Sequence, residues 1–262
     1  GYTFTTYRLP TGRDVESQSS RIDHLYEDKY NNIWILSYDN QAYRFDVQAQ
    51  QFLDINSINE YRKRSFSASR IIPVESGKVW LVSEKDGCIS IIDSLFNAEV
   101  YDSENQNLTD NKVHTVFEDK QGDSWILTNS GLTLLPSDRG DPVFYFHPAS
   151  NSGNRQERPF FSVMEFNGEL WFGSNEGIIW RYDRKKQNFN QLSTGLTSDI
   201  ISIQEISSEK IIIVSNLSGF VIYNTHNGSM EMYNELTLPA MLSGRIFACY
   251  IDQAKNIWID TD

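Results

Sequence analysis

The chain has 262 residues, 39% of them hydrophobic and 13% aromatic, which is enough apolar material for an extensive core and too much for disorder. Its 23 basic residues face 35 acidic ones, and a net charge of −12 disfavours phosphate backbones and anionic membranes as partners, because both are bound chiefly by clustered Lys and Arg. No apolar run approaches the length that spans a bilayer, and no secretory leader is legible, although a mature chain would have lost one.

In chain order the sequence reads as short strands separated by Gly, Asn and Asp. YTFTTYR (2–8) reads as a lone strand. RIDHLYED (21–28), NIWILS (32–37), AYRFD (42–46) and QQF (50–52) follow as a first set of four. RIIPV (70–74), KVWLV (78–82), CISIID (88–93) and AEVY (98–101) form a second set, and VHTVFED (113–119), SWILT (124–128), LTLLP (132–136) and VFYFH (143–147) a third. FFSVMEF (160–166), ELWFGS (169–174), IIWRYD (178–183) and NFNQL (188–192) make a fourth, and IISIQEI (200–206), KIIIVS (210–215), FVIYN (220–224) and MEMY (230–233) a fifth. RIFACYID (245–252) and NIWID (256–260) open a sixth. The runs are rich in Ile, Val, Tyr, Phe and Trp, and no stretch keeps a helical period for three turns.

The sets share a register. Trp34, Trp80, Trp125, Trp171 and Trp258 each stand three residues before a Ser or Thr (Ser37, Ser83, Thr128, Ser174, Thr261), and Ile212 takes the Trp place before Ser215. The spacings are 46, 45, 46, 41 and 46 residues. Four strands in each unit of this length predict an all-β fold, a β-propeller of four-stranded blades, with the Trp filling the layer between blades. The expected domain is one propeller segment over 1–262, with blades near 20–54, 67–102, 112–147, 159–193 and 199–234 and a partial blade at 245–262. With YTFTTYR as the fourth strand of a preceding blade, five complete blades are flanked by two partial ones, a segment of a longer ring.

The connectors narrow the type. Neither the Gly-His nor the Trp-Asp pair of WD40 blades recurs, and Asp119, Gly122 and Trp125 miss the sialidase Asp-box register by one residue. What the units resemble is the two-component regulator propeller repeat: an apolar strand ending in Glu-Asp, a Gly/Asn turn, aliphatic-Trp-aliphatic-x-Thr, Gly-Leu, and an aromatic-Asp. HLYEDKYNNIWILSYDNQAYRFD (24–46) and VHTVFEDKQGDSWILTNSGLTLL (113–135) carry the pattern most fully; ELWFGSNEGIIWRYD (169–183) and IFACYIDQAKNIWIDTD (246–262) carry parts of it. The first unit has Asn40 and Gln41 in place of the Gly pair, and the fifth lacks the Trp. The resemblance implies the periplasmic sensor region of a hybrid two-component system histidine kinase of the kind found in gut Bacteroidetes, responding to glycan fragments. It also implies partners: an oligosaccharide or other small ligand, further blades and downstream domains of the same protein, and a homodimer, with no nucleic acid and no membrane contact by this segment.

Chemistry-bearing motifs are sparse. His24, His114, His147 and His226 have no ligand spacing, no CxxC or HExxH occurs, and no cofactor or metal is implied. The pairs Glu27-Asp28 and Glu118-Asp119 recur at a strand-to-turn position, where Asp caps turn amides, so no catalytic residue is assigned. Cys88 and Cys249 occupy non-equivalent places in different units and read as free thiols. A ligand face is expected on the loops, where function is usually held by a rigid scaffold. Two connections between blades bring Tyr61, Arg62 and Arg64, and Arg155 and Arg158; the turns after the second strands bring Tyr38, Asp39, Lys85, Asp86, Asn129, Asn175 and Glu176. Arginine forks beside amides and aromatics suit sugar hydroxyls and, better, carboxylates or sulfates. A ligand-sensing segment without catalysis is the first reading; a propeller lyase or glycoside hydrolase, or a protein-binding scaffold, is the alternative.

Overall fold

A computed structural model describes residues 4–9, 21–53, 55, 66–91, 97–105, 107–146, 159–238 and 244–262, and among these there is no α-helix. Strands β1 (Ile22–Glu27), β2 (Ile33–Ser37), β3 (Ala42–Asp46) and β4 (Gln51–Leu53) form the first sheet in that order. The second is β5 (Arg70–Pro73), β6 (Val79–Val82), β7 (Cys88–Ile91) and β8 (Ala98–Tyr101). The third is β9 (Val113–Glu118), β10 (Ser124–Thr128), β11 (Gly131–Leu135) and β12 (Val143–Phe146). The fourth is β13 (Phe160–Phe166), β14 (Glu169–Ser174), β15 (Ile178–Asp183) and β16 (Asn188–Ser193), and the fifth β17 (Ile200–Ser207), β18 (Lys210–Ser215), β19 (Phe220–Asn224) and β20 (Met230–Tyr233). A two-stranded sheet of β21 (Ile246–Ile251) and β22 (Ile257–Thr261) ends the series. These are propeller blades, each an antiparallel meander. Two compact units are distinguished, residues 1–126 with 133–144 and residues 127–132 with 145–262.

The second strand of a blade is buried on both faces, which is why its sequence is a continuous apolar run rather than an alternating one. In the first unit Trp34 and Leu36 of β2 join Ile71, Leu81 and Ile89 of the next blade in one core, while Trp80 and Val82 of β6 join Val113, Val116 and Ile126 in another. In the second unit Ile211 and Ile213 of β18 pack with Trp171, Ile179 and Ile200, and Ile212 and Val214 pack with Phe220, Ile246 and Ile257. Odd and even positions of each second strand therefore serve the two neighbouring blades, as the period-two pleat requires. Trp34, Trp80, Trp125 and Trp171 are 0–2% exposed; Trp258, in the same place on β22, is 61% exposed.

The turn before the second strand anchors the indole. The Asp28 carboxylate accepts from the Tyr30 and Asn32 amides (both 2.9 Å), from the Asn32 side chain (3.0 Å) and from Trp34 Nε1 (2.9 Å). Asp119 accepts from Gln121 N, Asp123 N and Trp125 Nε1 (2.9, 3.1 and 2.7 Å), and Asp252 from Asn256 N, Asn256 Nδ2 and Trp258 Nε1 (2.9, 2.9 and 3.0 Å). The Glu-Asp pairs thus cap turns, as read from sequence, and the Asp also satisfies a buried tryptophan. Three residues before each Trp the backbone turns left-handed, at Asn31 (φ 60°), Gly77 (97°), Gly122 (82°) and Lys255 (67°). Where the sequence has Val74 and Glu165 instead of Asp, Trp80 Nε1 and Trp171 Nε1 have no hydrogen-bond partner among the described residues.

A second local rule was not legible in the sequence. In four blades the first strand carries a bulge, at Ile22/His24, Phe160/Ser162, Ile200/Ser202 and Ile246/Ala248. In each, the residue paired before the shift is the Ser or Thr three after the Trp position: Ser37, Ser174, Ser215 or Thr261. One expectation fails. Residues 4–9 carry no strand; Tyr7 instead lays its ring on Phe45 of β3, 4.6 Å between centroids, and Phe4 is 93% exposed. Contact with a sheet face does not supply the free backbone edge that a ladder needs.

Removing the Asp119 carboxylate leaves the Trp125 N–H and two turn amides without their acceptor, so Asp119→Ala lowers stability by about 2–3 kcal/mol in urea unfolding. Hydrogen bonds from Trp258, the Asn256 side chain and the Asn256 amide lower the Asp252 carboxyl to about 2. Its folded pKa lies below the unfolded one, so its contribution is present above about pH 4 and is lost as pH falls through about 2. The melting temperature of Asp252→Asn, followed across that window, declines less steeply than that of the unmodified chain.

Candidate functional site

Within a blade, the turn after the second strand and the connection to the next blade sit side by side. In the first unit Ala68 N donates to Asn40 O and Gly87 N to Asn111 O, each at 3.0 Å. In the second unit Gly177 N donates to Ser198 O and Ile246 N to Asn216 O, each at 2.9 Å. The turns are held from below by the repeating Ser or Thr. Thr128 Oγ1 donates to Gly131 O and accepts from the Ser130 and Gly131 amides; Ser83 Oγ accepts from the Lys85 and Asp86 amides; Ser215 Oγ donates to Gly219 O and accepts from Ser218 N. Ser37, Ser83, Thr128, Ser174 and Ser215 are all buried. A hydroxyl that both donates and accepts in the first turn after a buried strand explains why the period carries Ser or Thr and nothing larger.

The sequence-predicted turn residues fall into two groups. Asp39 accepts from Ser37 Oγ, Asp86 from Ser83 Oγ (3.0 Å) and Asn175 Oδ1 from Ser174 Oγ (3.1 Å), and Asn129 is buried, so these side chains are engaged in the turn itself. Tyr38, Lys85 and Glu176 are exposed; the Arg21 guanidinium lies 4.5 Å above the Tyr38 ring, and Glu176 has a left-handed backbone (φ 56°). Tyr38, Asp39, Lys85 and Asp86 belong to the first unit, Asn129, Asn175 and Glu176 to the second. Tyr61, Arg62, Arg64, Arg155 and Arg158 lie outside the described residues.

Sequence reading missed a polar group in the fifth blade. Ser198 Oγ meets Ser218 Oγ at 2.9 Å and accepts from Leu217 N, Thr197 N donates to Ser218 Oγ, and Asn216 Nδ2 reaches Asp199 Oδ2 at 3.4 Å. Burial raises the Asp199 carboxyl above its ordinary range, opposed by the Asn216 amide and the Arg245 charge. Counting four and six residues on from Ile212 gives Asn216 and Ser218, as counting four from Trp125 gives Asn129, so the register carried the signal. Cys88 and Cys249 are free, and burial raises both thiols, Cys249 to about 11, so neither is an activated nucleophile.

Solved structures share this arrangement of blades. The extracellular domain of the hybrid two-component system BT3049 from B. thetaiotaomicron superposes with a TM-score of 0.69 at 18% identity, over 98% of this chain and 34% of that one. The extracellular domain of the one-component system BT4673 from the same organism gives 0.67 at 17% identity, over 97% and 34%. YCF48 bound to D1 peptide gives 0.59 at 12% identity, over 87% and 70%. What is shared is the fold. The chain spans about a third of the length of the two extracellular domains. No family model and no curated relative matches it.

Glycine is required where these turns meet the fourth strand. Gly87 and Gly219 have φ of +82° and +88°, and a Cβ on either would stand 2.1 Å from a backbone carbonyl, Tyr101 O or Tyr233 O. Gly228 has φ +75° with nothing within 4 Å. Gly228→Ala therefore costs only the left-handed strain, about 1–2 kcal/mol, whereas Gly219→Ala adds a backbone clash and costs at least about 3 kcal/mol in the same denaturation experiment.

Proposed function

We propose that the chain is part of the extracytoplasmic, periplasmic ligand-sensing propeller of a hybrid two-component regulator, and that it responds to an oligosaccharide. The observation that carries this reading is the superposition of nearly the whole chain on the extracellular domain of such a system, joined to six in-phase repeats of the two-component regulator type. In this reading the segment has no catalytic residue of its own, and the kinase lies elsewhere in the protein. Further blades, downstream domains and a second copy of the protein are its partners. Ligand contacts come from the turns and connections of each unit: Tyr38 and Lys85 as exposed polar ends in the first and Glu176 in the second, with Tyr61, Arg62, Arg64, Arg155 and Arg158 on the longer connections. Signalling then requires that the ligand bind one arrangement of domains more tightly than another.

A protein-binding scaffold is the second reading, favoured by one observation: YCF48, which shares the fold, is solved with a peptide bound. Thermal-shift screening of the complete extracytoplasmic region against neutral, acidic and sulfated oligosaccharides separates the two. A ligand at about 100 times its Kd stabilises by about 2.7 kcal/mol and moves the melting point by several degrees. The sensor reading expects such a shift from one glycan class, with the sugar recovered intact. No shift from any sugar overturns it and leaves the scaffold; cleavage of the sugar overturns the non-catalytic assignment.

A further inference from the structure

The first unit contains a cleft of 490 Å³ between its second and third blades. It is built from the start of β6, from β8, and from the two turns of the third blade that precede β10 and follow β11. Its size falls in the range of about 300–1,000 Å³ that suits a small ligand. One wall is aromatic: the Tyr101 ring packs on the buried Trp80 indole, 5.5 Å between centroids. On that wall the Tyr101 hydroxyl donates to Glu99 Oε2 at 2.7 Å, which fixes the carboxylate and leaves its other oxygen able to accept. Burial raises the Tyr101 hydroxyl well above its ordinary range, so it stays a donor at any physiological pH.

Lys78 and Arg139 also line the cleft. Lys78 is half-buried and Arg139 exposed, and neither side chain has a hydrogen bond or ion pair with a described residue. In a chain with 35 acidic residues against 23 basic ones, two cations on one cleft without a carboxylate partner are out of keeping with the composition. A half-buried ammonium has lost part of its hydration, and an anion in the cleft compensates that loss. Lys78 and Arg139 are the two cations that line the cleft and could hold one. The ring wall asks for a flat apolar face, which the C–H side of a pyranose presents. Glu99 asks for hydroxyl donors, which an aromatic acid lacks and a sugar has.

We infer that this cleft binds a carboxylated sugar, a hexuronate unit, with the carboxylate on Lys78 and Arg139, the ring on Tyr101 and a hydroxyl donating to Glu99. The inference does not rest on the sensor reading, since binding here is measured without reference to signalling. Isothermal titration of the 262-residue chain with glucuronate and galacturonate tests it, with glucose, benzoate and sodium sulfate as comparison ligands. The expected result is uronate binding that weakens roughly tenfold or more in Arg139→Gln and in Lys78→Gln, with each comparison ligand weaker by a similar factor. Arg139 is exposed, so its substitution leaves the fold intact even if that of Lys78 does not, as circular dichroism will register. Failure of the unmodified chain to bind either uronate at millimolar concentration overturns the inference. So does undiminished binding by Arg139→Gln, or equal binding of sulfate, benzoate or glucose, which would leave a site for charge, for ring or for hydroxyls alone.

Discussion

Each second strand must be dry on both faces. A four-stranded meander cannot achieve that alone, because its two faces look outward; it becomes stable only between two others of its kind. The demand accounts for the runs IWIL, VWLV, WIL, LWF and IIIV, for their division into odd and even positions serving opposite neighbours, and for a fold made by repetition rather than by one central core. Replacing one of the buried tryptophans by Ala would cost about 3–5 kcal/mol by general experience with aromatic core residues, so each blade's largest side chain is a substantial share of the whole molecule's margin.

Filling that layer with indole creates a secondary demand, an acceptor for a buried N–H. Blades one and three meet it with Asp28 and Asp119, and in blade six Asp252 makes the same bond to the exposed Trp258. Blade two keeps the same backbone turn, with Val74 N donating to Lys78 O and Gly77 N to Val74 O, yet has no carboxylate and leaves its indole unpaired. The turn therefore does not need the Asp, and Trp80 and Trp171 are buried without one; where the carboxylate is present it adds an acceptor for the indole. Blade five has Ile206 and Ile212 at the two positions and is apolar at both. An aliphatic knob needs no acceptor, so the carboxylate is dispensable where the indole is gone. The Asp accompanies the Trp in three of the five blades that have one, so it is a brace added to the indole rather than a condition for burying it.

The strands were legible because their apolar runs and their period are properties of the sequence itself. The first-strand bulge was not, since an extra residue opposite Ser37 or Ser215 changes no composition and shows only in the pairing. YTFTTYR misled because alternation is the pattern of any half-exposed strand, while pairing depends on a free edge elsewhere. The loop face was half legible. The polar residues do stand in the turns after the second strands, but Asp39, Asp86 and Asn175 are bonded within their own turns, a role that one-dimensional spacing does not separate from ligand binding. The cleft beside Tyr101 could not be read at all, because it joins five pieces of chain that are apart in the sequence.

These placements bear on where recognition can reside. The turn face is tied down by serine and threonine hydroxyls below and by backbone hydrogen bonds to the connections beside it, and most of its polar groups are consumed by that bracing. Bracing of this kind gives rigidity and leaves few free donors or acceptors per blade, so specificity on that face must come from its exposed ends and its longer connections. The cleft has the opposite character. Its cations pair with no described residue, its carboxylate is held by a tyrosine rather than by a turn, and its aromatic wall is part of the core. A group that is fixed by packing but not satisfied by it is the combination that favours a ligand over water, because binding then completes interactions without having to order the residues that make them.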